Sequence, residues 1–259
     1  VRRSAAIVGA ALVTGLLTAP AAASAAPAPG VAPTVRPAAV ASAYAPPIPG
    51  ARRFDATMRA RVRTVIVVSA TSWRSTSGRL TVYVRSGAGW RAVRTMTARL
   101  GRTGLVPAAQ RRQGTGTTPA GKFAITETFG RKADPGTAMP YTKVTMDHWW
   151  VQDRRSRFYN QMRRGSLGGF ALTRSGYYGS ERLAAMGRQY DYAAVIDFNR
   201  PRPVIGRGSG IFLHAYGDPT TVGCVSVHRD RMVEILRLLR PGDHPRIIIG
   251  EDDWLRTRR

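Results

Sequence analysis

Cysteine is nearly absent from this chain of 259 residues: Cys224 is the only one. A single thiol excludes an intramolecular disulfide framework and any zinc module built on paired cysteines. Lysine is almost as scarce, with Lys122, Lys132 and Lys143 set against 37 arginines. The formal net charge of +25 is therefore an arginine charge. Beside so much Ala and Gly, it points to a GC-rich coding sequence as much as to a selected basic surface. The arginines are scattered over the chain and no nucleic-acid-binding motif accompanies them, so a nucleic-acid partner is not expected. Beyond the N-terminus no stretch reaches the ~20 apolar residues of a membrane-spanning helix. What is present is a hydrophobic fraction of 43%, which excludes a disordered chain and is enough for one sizeable domain.

The N-terminus sets the expected compartment. Arg2 and Arg3 precede the uncharged apolar run Ala5 to Leu17, and Ala23-Ser24-Ala25 follows with the small residues of a cleavage site. That order is the pattern of a secretory signal, expected over residues 1–25. Sec and twin-arginine export both remain open. Residues 26–50 are dense in Pro and Ala, with Arg36 their only charge, and read as an extended linker. A single catalytic domain is expected over 51–259. The protein is expected to be secreted, associated with the cell wall, without a transmembrane anchor after signal cleavage, and monomeric. Export makes the lone thiol conspicuous, because an unpaired cysteine outside the cell is an oxidation liability.

The domain reads as mostly β. Strands are expected at Val62–Val68, Arg79–Arg85, Trp90–Met96, Lys122–Thr128, Ala193–Phe198, Ile211–His214, Cys224–Val227 and Arg246–Ile249, from β-branched runs or period-two alternation. One helix is clear, Arg229–Arg240, where Met232, Ile235, Leu236 and Leu239 form an apolar stripe and Pro241-Gly242 stops the element. A weaker helix is expected over Gly179–Arg188. Residues 130–190 carry many Gly, Arg and aromatic residues with little periodicity and read as long loops.

The chemistry gathers at residues 211–228, IFLHAYGDPTTVGCVSVH. A strand ending in His214 leads through a short polar loop into Thr221-Val222-Gly223-Cys224 and a second strand. A histidine in reach of the thiol can take its proton and return it to a leaving group. Gly223 permits a tight turn, and its N–H, with that of Cys224, can face a developing oxyanion. Other readings stand beside this one. Cys224 can be a buried structural thiol. His214, Cys224 and His228, with Asp218 between them, can be read as zinc ligands, although His228 sits where a helix begins and no second cysteine supports a structural site. Asp147, His148 and Asp153, around Trp149 and Trp150, read as loop and packing residues.

Three segments together resemble a known family, the L,D-transpeptidases with a YkuD-type catalytic domain, in a secreted actinobacterial branch. The family pattern of His, a loop, then Ser or Thr, any residue, Gly and Cys is met by His214 and by Thr221, Val222, Gly223 and Cys224. An upstream Thr-Pro-x-Gly-x-Phe pattern is met by Thr118-Pro119-Ala120-Gly121-Lys122-Phe123. A third feature is the run from Tyr190 to Pro203, leading through Gly208-Ser209-Gly210 to the histidine strand. The resemblance covers about Val62 to Gly250. Two departures stand out: the loop from His214 to Cys224 is short for the family, and Ser226 occupies a position often held by Arg, His or Asn.

The resemblance implies a YkuD-like β-sandwich or mixed sheet with one or two helices and long loops. It implies Cys224 as nucleophile, His214 as base, the Ala215 carbonyl as the group orienting the imidazole and Gly223 as an oxyanion donor. Thr221, Val222, Ser226, Arg229 and Tyr192 are expected to bind substrate, with no metal and no cofactor. The implied reaction acylates Cys224 with a peptidoglycan tetrapeptide stem, releases D-Ala and forms a 3→3 cross-link. An L,D-carboxypeptidase, or a wall-binding protein with a vestigial site, is the alternative. Peptidoglycan stem peptides and the anionic wall are the implied partners.

Overall fold

The computed structural model describes residues 60–87, 89–176 and 179–257. The expected signal peptide and Pro/Ala-rich linker lie outside these residues.

The β-branched run Thr64–Ala70 forms β1 and is buried along almost its whole length. It pairs antiparallel with β2 (Ser77–Ser86), which continues antiparallel to β3 (Gly89–Arg99). On its other side β1 pairs in parallel with β13 (Arg246–Glu251). Both flanks of β1 are thus covered by neighbours, which is where a continuous apolar run belongs.

The longest strand is β5, Thr118–Gly130. Its first half holds the short parallel strand β4 (Leu105–Pro107) and pairs antiparallel with β13 through Gly121–Ala124. Its second half holds β6 (Tyr141–Lys143) and pairs with β10 (Ala193–Ile196) through Ile125 and Thr128–Phe129. From β10 the ladder runs to β11 (Phe212–Ala215), in parallel to β12 (Val225–Val227), and back to β3 through the pair Ser226–Arg99. The hydrogen-bonded path therefore closes on itself, and β5 belongs to both of its halves.

The layer β10–β11–β12 is buried on both faces. Successive strand residues point to opposite sides. Ala194, Ile196, Leu213, Ala215, Val225 and Val227 face the main core with α1 (Arg229–Leu238), whose Met232, Ile235 and Leu236 are buried. Ala193, Val195, Phe212 and Cys224 face a second cluster with Phe129, Trp150, Leu183 and Tyr190. Phe212 is its centre, with edge-on ring contacts to Trp150 at 4.8 Å, Phe129 at 5.1 Å and Tyr190 at 5.5 Å. A third cluster lies on the other face of β1 and β13, covered by Leu255 of α2 (Asp252–Thr257).

The expected mostly-β fold is present, with three differences of detail. The region 130–190 is not only loops: β7 (His148–Trp150) pairs with β8 (Met162–Arg164) and β9 (Glu181–Arg182) in a small separate sheet. The segment read as a weak α-helix is β9 followed by 3-10 turns over Leu183–Tyr190, interrupted at Gly187 with φ 78° and ψ −159°. Helix α1 ends at Leu238, because Leu239 turns extended ahead of Pro241. No helix among the described residues is long and apolar enough to cross a membrane.

Candidate active site

The site is made by the register of β11 and β12. His214 lies opposite Ser226, and Cys224, two residues before Ser226, shares its face. Cys224 and His214 therefore sit one step apart on the same face of adjacent strands. Both line a cleft of about 470 Å³. The wall above them comes from the 150–190 region, through Gln152, Glu181, Gln189 and Tyr190.

Cys224 is fixed from several directions. Its carbonyl accepts hydrogen bonds from Thr221 Oγ1 at 2.7 Å and Thr118 Oγ1 at 3.3 Å. Thr118 opens the Thr-Pro segment, so the two motifs, far apart in sequence, meet at the Cys224 backbone. Thr118 Oγ1 also accepts the Gly101 N–H. The Cys224 thiol donates to Gly210 O at 3.4 Å, and the Phe212 N–H donates to Sγ at 3.4 Å. The thiol is buried, 8% exposed. Burial, with Glu181 nearby, pushes it up to about 12, against smaller opposing effects of the Phe212 N–H and Arg111. At neutral pH it is a thiol, not a thiolate.

His214 is equally enclosed. Nδ1 donates to Ala215 O at 2.6 Å. A carbonyl only accepts, so the proton sits on Nδ1 and Nε2 is left as the acceptor. The ring packs edge-on against Tyr190 at 5.4 Å. Burial pushes the imidazole down to about 4, while backbone hydrogen bonding at Ala215 and Gln189 pulls the other way. The resting pair is a neutral thiol beside a neutral imidazole.

The remaining expected site residues divide. Gly223, at φ +133°, makes the turn before Cys224. Its N–H is already engaged, donating to Thr221 Oγ1 at 3.1 Å. Among the described residues no hydrogen bond takes up the Cys224 N–H, which leaves that donor open. Thr221 lines the cleft, but its hydroxyl is committed to Gly223 and Cys224. It locks the turn. Val222 stands at the rim, 63% exposed.

Of the other expected substrate contacts, Ser226 lines the cleft, while Arg229 and Tyr192 are not among its lining residues. Ser226 is 0% exposed, lies opposite His214 and carries a buried hydroxyl that finds no partner among the described residues. Arg229 pairs with Asp191 at 3.3 Å and stacks over Tyr192 at 5.0 Å, because α1 starts on the main-core side of the layer. His228 also lies outside the cleft, exposed and 3.7 Å from Asp230. Among the described residues no three His, Cys, Asp or Glu side chains come together as a metal site.

Sequence reasoning missed two cleft residues. Glu181 accepts from Tyr190 Oη at 2.6 Å and from Gln152 Nε2 at 2.7 Å. Burial raises its carboxyl above the usual range, against those two hydrogen bonds. Arg111 is buried at 3% exposure and lines the same cleft. Neither announces itself in sequence: Glu181 stands in an aperiodic segment, and Arg111 is one of many arginines.

No curated protein matches the chain. Among solved structures, one titled "Structure of Bdellovibrio bacteriovorus Bd1075" is 18% identical, with 74% of this chain and 49% of that chain covered and a TM-score of 0.39. The chain thus spans about half the length of that protein. A family model described as the YkuD L,D-transpeptidase catalytic domain matches residues 63–249, the stretch that runs from β1 into β13 and carries the histidine strand and the cysteine turn. By that match, which covers well over half of its length, the chain belongs to the YkuD family of L,D-transpeptidase catalytic domains.

Proposed function

We propose that this chain is an exported cysteine L,D-transpeptidase that remodels peptidoglycan. The observation that supports it most is the register that sets Cys224 and His214 on one face at the floor of a cleft, with the imidazole tautomer fixed by Ala215. A tetrapeptide stem enters with its third, diamino-acid residue over the thiol. The thiol turns from Gly210 O toward His214 Nε2, which takes its proton as sulfur attacks the carbonyl. The open Cys224 N–H stabilises the oxyanion. The C–N bond to terminal D-Ala breaks, and His214 returns the proton to the departing amine. An amine of a neighbouring stem then attacks the thioester, freeing the thiol and forming a 3→3 cross-link. Water in the amine's place releases the tripeptide, which is the carboxypeptidase alternative.

A neutral resting pair suits this sequence. Proton transfer accompanies attack, so the nucleophile is generated only when a carbonyl is in place. Incubation with a carbapenem followed by intact-mass measurement tests the reading. One adduct is expected on wild type and none on Cys224→Ala. A folded wild-type protein that takes no adduct overturns the nucleophile assignment and favours a vestigial site. Muropeptide products formed with and without acceptor amine separate cross-linking from hydrolysis.

A further inference from the structure

The most conspicuous group that the mechanism leaves unused is Arg111. A guanidinium cannot shed its proton under ordinary conditions, so a buried arginine without a counter-charge is costly. Among the described residues Arg111 has no carboxylate within ion-pair distance. Its partners are neutral: Nε donates to Thr117 O at 3.0 Å, Nη1 donates to Arg207 O at 3.2 Å, and the guanidinium lies 5.4 Å from the Phe198 ring centre. Nη2 donates to no protein group among the described residues.

The fold makes room for this cation. A Cβ on Gly208 would fall 1.6 Å from Nη1, and one on Gly223 would fall 2.8 Å from Nη2. Both glycines take φ +133°, a conformation side chains rarely adopt. The two glycines, one in the Gly-Ser-Gly segment and one beside the nucleophile, thus flank a single guanidinium. Its free arm, Nη2, lies against the residue before Cys224. The acid on the opposite wall, Glu181, is occupied by Tyr190 and Gln152. Arg111 therefore holds a positive charge that no carboxylate pairs with among the described residues, in a cleft also lined by Glu181 and Asp218, and a ligand's anion is the partner it lacks.

We propose that Arg111 is a specificity-determining residue that binds the free α-carboxylate of the donor's terminal residue, the one that leaves on acylation. This rests on the transpeptidase reading above. In such a donor the carboxylate lies one residue beyond the scissile carbonyl, and one residue spans about 3.8 Å. Arg111 Nη2 lies against Gly223, next to Cys224 and on the same cleft, so the cation stands on the side of the thiol where that carboxylate has to be held. A planar guanidinium presents paired donors to a carboxylate and fits it better than a lysine would. Donors that end in an amide, or that continue into further residues, leave the guanidinium unpaired and are disfavoured.

The test compares a tetrapeptide stem with its C-terminal carboxamide as donor, on the purified mature protein. Wild type should prefer the acid by roughly 10- to 100-fold in kcat/KM. Arg111→Met should bring the ratio near one, through loss on the acid donor that falls mainly on KM. Arg111→Lys, which keeps the charge, should recover part of it and covers the case in which the methionine variant does not fold. A wild-type ratio near one overturns the proposal and leaves the transpeptidase reading standing. Equal losses on both donors also overturn it, assigning Arg111 to the oxyanion instead. Turnover of neither donor, with no carbapenem adduct, overturns both readings.

Discussion

The two faces of the β10–β11–β12 layer differ in one respect that decides their roles. Toward the main core, Leu213, Ala215, Val225 and Val227 are apolar without exception. Toward the 150–190 wall, the same strands present Phe212, His214, Cys224 and Ser226. Both faces are buried. The first is held by apolar contact, and the second must keep polar groups neutral or hydrogen-bonded in a dry setting. The lesson is that Cys224 and His214 lie in a core-like setting at the floor of the cleft and are uncharged at rest for the reason buried groups are.

The comparison can be broken at several points. The largest effect is expected for His214→Asn, which should slow carbapenem acylation of Cys224 by about 10²- to 10⁴-fold, followed by mass spectrometry over time. An unchanged rate would remove His214 as the base. On the opposite face, Leu213→Ala should cost about 2–5 kcal/mol in urea unfolding, with the acylation rate of the folded fraction unaltered. A changed rate would show that the faces are coupled.

Acid should separate the faces without mutation. His214 titrates near 4 when folded against an ordinary value of about 6.5. Between those values the unfolded chain binds the extra proton, so stability rises with pH through the window and is lost as pH falls. The loss should be on the order of 3 kcal/mol. Unfolding measured from pH 7 to pH 4 should show that slope, and His214→Asn should flatten it. The smallest effect is expected for Glu181→Gln. Removing a carboxyl that pushes the thiol up should shift the pH profile of Cys224 alkylation downward, by roughly three- to tenfold in rate at fixed pH.

Much of this molecule is legible in its sequence where side chains repeat with a period. The β-branched runs mark β1 and β13, and the apolar stripe marks α1. The pairing of His214 with Thr221-Val222-Gly223-Cys224 was readable because both motifs flank one parallel strand pair. What stays hidden depends on approach through space. Strands β7 to β9 have two or three residues each, too few for any period. Ser226 reads in sequence as an open polar contact, whereas in the fold its hydroxyl is buried on the cleft side without a partner among the described residues. Arg111 gains meaning only from Gly208 and Gly223, which stand far from it along the chain.

Strand β5 carries a consequence for what the gene can tolerate. Thr118 at one end holds the Cys224 carbonyl, and Phe129 near the other packs against Phe212 and Tyr190. A one-residue slip turns every side chain of a strand to its opposite face. An insertion or deletion within 118–130 would thus unseat Cys224 and strip the aromatic packing on Phe212 together. The same change in the exposed stretch around residues 171–176 would meet neither contact. Reading frame length, not only residue identity, is under constraint along this strand.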